Sequence, residues 1–125
     1  MQSSSNSEYT DVRKVIELYL KGHAENSPTH MRQVFLPTAH VEGNREGSFT
    51  SWSLDQYCGL FTNTPAVDER CRRRTIDWIE ISGDTASAKA TLVHGEFVYV
   101  DYFILLKVAG EWKISNKVYY RATPD

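Results

Sequence analysis

Cysteine is scarce in this chain of 125 residues: Cys58 and Cys71 are the only two. Their spacing matches no metal-ligand pattern and their number is too small for a disulfide framework, so they are read as reduced thiols of a cytoplasmic protein. No run reaches the roughly 20 apolar residues of a membrane span, and residues 1–7 are polar and Ser-rich rather than a secretion signal. No membrane partner is therefore expected, and residues 1–7 read as a disordered tail ahead of a single domain at 8–122. The four histidines, His23, His30, His40 and His94, form no H-x-H or H-E-x-x-H spacing, which predicts no metal site. A glycine-rich phosphate loop is absent, neither cysteine has a histidine beside it to suggest a nucleophile, and no cofactor is expected. A net charge of -2 does not favour a polyanionic partner. The single basic run, Arg70, Arg72, Arg73 and Arg74, would split between the two faces of a strand. It reads as solvent-facing charge, with one arginine pairing Asp77 or Glu80, and predicts no nucleic-acid partner.

What the chain has instead is a dense apolar closing third, FVYVDYFILLKVAGEWKISNKVYY, at residues 97–120. Two runs rich in Val, Ile, Phe and Tyr flank Ala109-Gly110-Glu111, the pattern of a long β-hairpin. Its first arm is apolar in both phases: Val98, Val100, Tyr102, Ile104 and Leu106 in one, Phe97, Tyr99, Phe103 and Leu105 in the other. Such a strand needs cover on both faces. The second arm sets Trp112, Ile114, Asn116, Val118 and Tyr120 against a wetter phase of Lys113, Ser115, Lys117 and Tyr119. Upstream, Val12, Ile16, Tyr19, Leu20 and His23 recur at helical spacing from Glu8, with Thr10 as a candidate cap and Gly22 where the helix should fray. Ser27-Pro28 opens a short second helix to about Val34. Residues 39–43 and 47–53 suggest a small edge hairpin around Asn44-Arg45-Glu46. Ser53 with Gln56 reads as a capping box opening a third helix over residues 54–61. Strands follow at 70–82 and 85–94, separated by Gly83-Asp84. This is an α+β plan, with helices on one side of a curved antiparallel sheet.

That order, with the segments FLPTAHVEG, ISGDTASAKATL and DYFILLKVAGEWKISNKVYY, resembles the nuclear transport factor 2-like superfamily, and within it the lumazine-binding branch beside the polyketide cyclase-like and ketosteroid isomerase-like proteins. The resemblance spans about Glu8 to Tyr120. It implies a cystatin-like, cone-shaped fold: three N-terminal helices packed on a strongly curved, mostly antiparallel sheet enclosing a pocket. It also implies pairing of two copies through the outer sheet face. Burying the second apolar phase of the long strand, with Trp78 nearby, would contribute of order ten kcal/mol before association costs, which makes a homodimer the expected state.

The pocket implied is mostly apolar with a few convergent polar groups, and the expected ligand is a small apolar or ring-shaped molecule. Asp101, set among tyrosines, is the first candidate for proton chemistry. By strict alternation it points away from Tyr102 and Ile104, so it faces the dimer side if those line the pocket. Isomerase-like relatives place a phenol where Tyr19 falls, but their partner aspartate near the first strand is missing; the nearest ionisable groups are His40 and Glu42, which share a strand phase. The candidate catalytic set is therefore Asp101, Tyr19, His40 and Glu42. Candidate ligand contacts are Tyr19, Tyr57, Phe61, His94, Tyr102, Trp112 and Asn116. Three functions compete: a small-molecule-binding protein, an isomerase-, cyclase- or dehydratase-like enzyme moving a proton beside a carbonyl, and a dimerisation module with a self-filled interior.

Overall fold

The closing hairpin forms as expected and sits at the middle of the molecule. In a computed structural model that describes residues 2–122, helix α1 (Gln2–Glu25) and helix α2 (Pro28–Val34) precede strands β1 (Phe35–Arg45) and β2 (Ser48–Ser53). Helix α3 (Leu54–Cys58), a 3-10 turn (Glu69–Cys71) and strands β3 (Arg73–Ser82), β4 (Thr85–His94), β5 (Phe97–Val108) and β6 (Glu111–Ala122) complete the chain. The six strands form one sheet in the order β2-β1-β6-β5-β4-β3. All neighbours are antiparallel except β1 and β6, which run parallel. None of the described helices is long and apolar enough to cross a membrane.

Local chemistry sets the helix ends. Ser27 caps α2 by accepting from the His30 amide, with Pro28 at the first turn. Ser53 and Gln56 form the expected reciprocal capping box on α3. That helix stops at Cys58 rather than running to residue 61, and it follows the β1–β2 hairpin. Helix α1 departs from expectation at both ends. It begins at Gln2, so residues 2–7 are helical where a tail was expected, while Met1 lies outside the described residues. Thr10 therefore sits inside the helix instead of capping it. Gly22 does not fray the helix either, because a Cβ there would sit 2.8 Å from His30 Cβ and 3.0 Å from Met31 Cε. The glycine lets α1 and α2 approach closely. The start of α1 is clipped to the far end of the long hairpin by Glu8, which accepts from Lys107 Nζ at 2.9 Å and Trp112 Nε1 at 3.1 Å.

One sheet face carries the core. Ala86, Ala88, Ala90, Phe103, Leu105 and Ile114 form one core with Val12, Ile16 and Tyr19 of α1. The other face of β5 and β6 stays open: Tyr102, Ile104, Val118 and Tyr120 are exposed. This settles the phase of the first arm. Asp101, Phe103 and Leu105 point to the helices; Tyr102 and Ile104 point away.

The second arm does not keep a single phase. Leu105 pairs Ile114 and Ile104 pairs Asn116, so Ser115 has no partner on β5. On the other side β1 also passes from Ile114 to Asn116. This β-bulge inserts one residue and inverts the alternation beyond it. Before it Trp112 and Ile114 are buried; after it the buried residues are Lys117 and Tyr119. A polar phase read as wet is thereby turned inside. A second bulge, at Asp77 in β3, likewise turns Trp78 to the outer face while Ile79 and Ile81 point in.

Gly43 on β1 makes room for the inverted stretch: a Cβ there would lie 2.7 Å from the Tyr119 carbonyl oxygen and 2.8 Å from its ring. Gly43→Ala should destabilise the fold by about 1–3 kcal/mol through overpacking, read as a lower urea midpoint. An unchanged midpoint would mean that Tyr119 moves aside at no cost.

Candidate ligand-binding site

The inversion at Ser115 brings an ammonium group beneath the helices. Lys117 and Asp101, on adjacent strands and both almost fully buried, approach to 3.6 Å. One phenol bridges them, and a second joins on the lysine side. Tyr19 of α1 donates to Asp101 Oδ2 at 2.6 Å, and Lys117 Nζ donates to the Tyr19 oxygen at 2.6 Å and to the Tyr57 oxygen of α3 at 3.1 Å. His23, one turn after Tyr19, places Nε2 at 2.9 Å from the Tyr19 oxygen and 3.2 Å from the Tyr57 oxygen. With a proton on Nε2, His23 donates to Tyr19 and leaves Tyr57's own proton for a ligand; with Nε2 bare, Tyr57 donates to it. The ammonium also lies 5.0 Å and 4.9 Å from the ring centroids of Tyr19 and Tyr57, within cation–π range.

Burial and pairing fix the charge states. Burial pulls the Lys117 pKa down, but Asp101 and the Tyr57 phenol more than offset it, so the ammonium persists above its ordinary range. Tyr19 is pushed well above 10 by burial and then by the Asp101 charge, and remains a neutral phenol. Burial likewise raises Tyr57, against the pull of Lys117. His23 is driven well below 6.5 by burial, reinforced by Lys117, His94, Arg74 and Arg72, so it is neutral at physiological pH.

Beside this network lies a cavity of about 340 Å³, within the range of small-molecule sites. Its walls include Val41, Trp52, Tyr57, Phe61, Leu92, Tyr99 and Tyr119, with His23, His94, Arg45, Arg72, Asp101 and Lys117 supplying polar groups. Trp52 and Tyr119 stack at 6.1 Å with an 8° interplanar angle, which stiffens that wall. The Tyr119 hydroxyl is anchored at 2.8 Å from Thr50 Oγ1.

Of the residues singled out in the sequence, Tyr57, Phe61, His94 and Asp101 line this cavity. Tyr19 lies fully buried behind it, reaching the site only through its hydrogen bonds. The rest lie elsewhere. His40 is exposed, and Glu42, in the same phase, accepts from Ser51 at 2.9 Å on the rim; Val41 between them points in. Tyr102 is 46% exposed on the outer face, 6.4 Å from Trp78. Trp112 is buried at the Glu8 clip, ahead of the bulge. Asn116 pairs in register with Ile104 on the outer phase, because the bulge removes it from the phase of Trp112 and Ile114.

Sequence reasoning missed Lys117, His23, Arg72, Trp52 and Tyr119. For His23 a signal existed, a histidine on the apolar stripe of α1. For Lys117 there was none, since its orientation depends on one unpaired residue. The arginine run was also misplaced. Arg74 is held under the sheet end by Glu69, with Nη2 to Oε1 at 2.9 Å, and Arg72 lies 3.1 Å from Asp68, so Asp77 and Glu80 are not their partners.

Two outcomes follow. Lys117→Met leaves the Asp101 carboxylate buried without its cation and should cost about 3–5 kcal/mol in urea denaturation, much of which Lys117→Met with Asp101→Leu restores. A single variant as stable as the parent would refute the pairing. Because His23 and His94 have folded-state pKa values below 6.5, the unfolded chain binds more protons as pH falls through 6.5. Stability should then decline from pH 7 toward 5, above the range where Glu8 and Glu69 protonate. The decline should be shallower in His23→Asn; a flat profile in the parent would contradict it.

No protein of curated function matches the sequence. Solved structures share the fold. A nuclear transport factor 2-like protein of unknown function from Silicibacter pomeroyi superimposes with a TM-score of 0.85 at 19% identity, over 94% of this chain and 98% of that one. One from Shewanella baltica, also of unknown function, gives 0.84 at 26% identity over 94% and 96%. A ketosteroid isomerase-like protein from Erwinia carotovora atroseptica gives 0.73 at 14% identity over 95% and 99%. Residues 7–120 match the family described as "Putative lumazine-binding", and the chain belongs to that family, within the nuclear transport factor 2-like superfamily.

Proposed function

We propose that the protein binds a small, planar, ring-bearing molecule in the cavity beside Lys117, with no covalent step. The observation that carries this reading is an aromatic-walled space of about 340 Å³ whose polar floor is held together by its own hydrogen bonds. Such a floor is preorganised, so a ligand meets donors already aimed and does not pay to order them. Bulges in β1, β3 and β6 would bend the sheet around this space into a cone. The family description favours a bicyclic, carbonyl-bearing ring such as lumazine. Tyr57 and Lys117 supply donors for a carbonyl, and Trp52, Phe61 and Tyr99 supply faces for the ring.

Proton transfer with Asp101 as base is the weaker reading, although Asp101 points inward. Its Oδ2 already accepts the Tyr19 proton, and the ammonium of Lys117 lies beside it. That oxygen takes a substrate proton only by giving up the Tyr19 hydrogen bond. A self-filled dimerisation module is disfavoured by the cavity itself. A homodimer remains part of the proposal: Trp78, Tyr102 and Val118 lie in one row across the outer face, with Ile104 and Tyr120 on the adjoining rows.

Calorimetric titration with lumazine, and with 2-naphthol as a ring lacking carbonyls, tests the binding reading. Saturable binding of either at about 100 μM or tighter supports it. The absence of binding and of any melting shift with both, up to about 1 mM, would overturn it. For assembly, light scattering on a sizing column should give twice the chain mass of 14.3 kDa, and Tyr102→Glu should give the monomer; a monomeric parent would remove the dimer.

A further inference from the structure

A second polar group faces the cavity besides the Lys117 network. Arg72, just ahead of β3, donates from Nη1 to His94 Nδ1 at 3.3 Å. Burial, with Arg74 and Arg72 adding to it, pushes His94 down to about 4, so the ring is neutral at physiological pH. With Nδ1 accepting, its proton resides on Nε2. That Nε2 is buried and meets no acceptor. Arg72 Nε and Arg74 Nε are in the same condition, the former 3.1 Å from Asp68 Oδ1 but outside hydrogen-bond geometry. These three are the only buried side-chain polar atoms without a partner among the described residues, and all are donors. Buried donors are normally satisfied. What this corner lacks is an acceptor.

Charge around the cavity points the same way. Arg45, Arg72 and Lys117 line it against the single carboxylate of Asp101, which Lys117 already offsets. Arg45 has no carboxylate within 4.0 Å among the described residues; its guanidinium lies 5.6 Å from the Trp52 ring centroid. Asp68 and Glu69 stand next to Arg72 and Arg74. That pairing, with Lys117 on Asp101, leaves Arg45 as the uncompensated cation of the lining, so the cavity suits a monoanion rather than a phosphate dianion. Aromatic surface is at hand for the rest of such a molecule. The His94 ring lies 5.5 Å from Tyr99 and 6.0 Å from His23, and His23 in turn 5.6 Å from Phe61.

We propose that the natural ligand of this pocket is a ring-bearing carboxylate, whose carboxylate accepts hydrogen bonds from the Arg72 guanidinium at the His94 corner while its ring lies among Tyr99, Phe61 and Tyr57. The assignment rests on the small-molecule reading above and sharpens it: the ligand is not merely apolar but singly anionic at one end.

A matched pair of probes, 2-naphthoate and 2-naphthamide, separates the two ideas, since they share a ring and differ in charge. In calorimetric titrations near pH 7, 2-naphthoate should bind the unmodified protein about tenfold or more tighter than 2-naphthamide, as expected for charge-assisted hydrogen bonds. Arg72→Gln should reduce that preference to within about twofold, read as the ratio of the two affinities in the same variant. Equal affinity of the two probes for the unmodified protein overturns the carboxylate subsite and leaves the pocket reading intact. An undiminished preference in folded Arg72→Gln assigns the anion to Arg45 or Lys117 and overturns the role of Arg72. Failure of both probes to bind, together with lumazine and 2-naphthol, overturns the pocket reading and this one with it. The comparison on the unmodified protein needs no variant, so it stands even where Arg72→Gln does not fold.

Discussion

An ammonium and a carboxylate buried on neighbouring strands impose the strictest condition on this molecule. Taking either charge from water costs several kcal/mol, and their mutual attraction offsets that only if the remaining donors and acceptors are also met. Here Tyr19 and Tyr57 meet them, and the two phenols come from different helices. The pair therefore specifies more than its own geometry. Helix α1 must present Tyr19 to Asp101, α3 must present Tyr57 to Lys117, and His23 must close the gap between the phenols. A hydrophobic core would tolerate sliding of the helices over the sheet far better than this network does.

The cavity inherits that rigidity. The cavity's polar floor is built from groups that bond to one another, so its shape does not depend on occupation. Its aromatic wall is similarly braced, with Trp52 stacked on Tyr119 and Tyr119 tied to Thr50. The corner at Arg72 and His94 differs in kind, because there the buried donors outnumber the acceptors.

The two faces of the sheet divide the apolar residues of the long hairpin between separate tasks. Phe103 and Leu105 serve the core, while Tyr102, Ile104 and Val118 remain exposed on the other face. Both phases of the first arm had been readable as apolar. Which phase belonged to which task was not, because alternation reports that two faces exist and not which one the helices cover.

The linear sequence determined the elements with local causes: Ser27-Pro28 and the Ser53/Gln56 box for helix starts, and the apolar runs around Ala109-Gly110 for the long hairpin. Each of these depends on residues within a few positions of one another. Tertiary structure alone decided the site. Lys117 reaches Asp101 because Ser115 is left unpaired, and a single inserted residue reverses every side chain beyond it. Nothing in the composition of SNK distinguishes a bulge from regular strand; the choice is made by Ile114 and Asn116 finding their partners on β5 and β1 at once. Likewise Arg72 and Arg74 looked solvated as part of a charge run, and only the return of the chain through Asp68, Glu69 and His94 gives them partners, with Arg72 at the cavity wall.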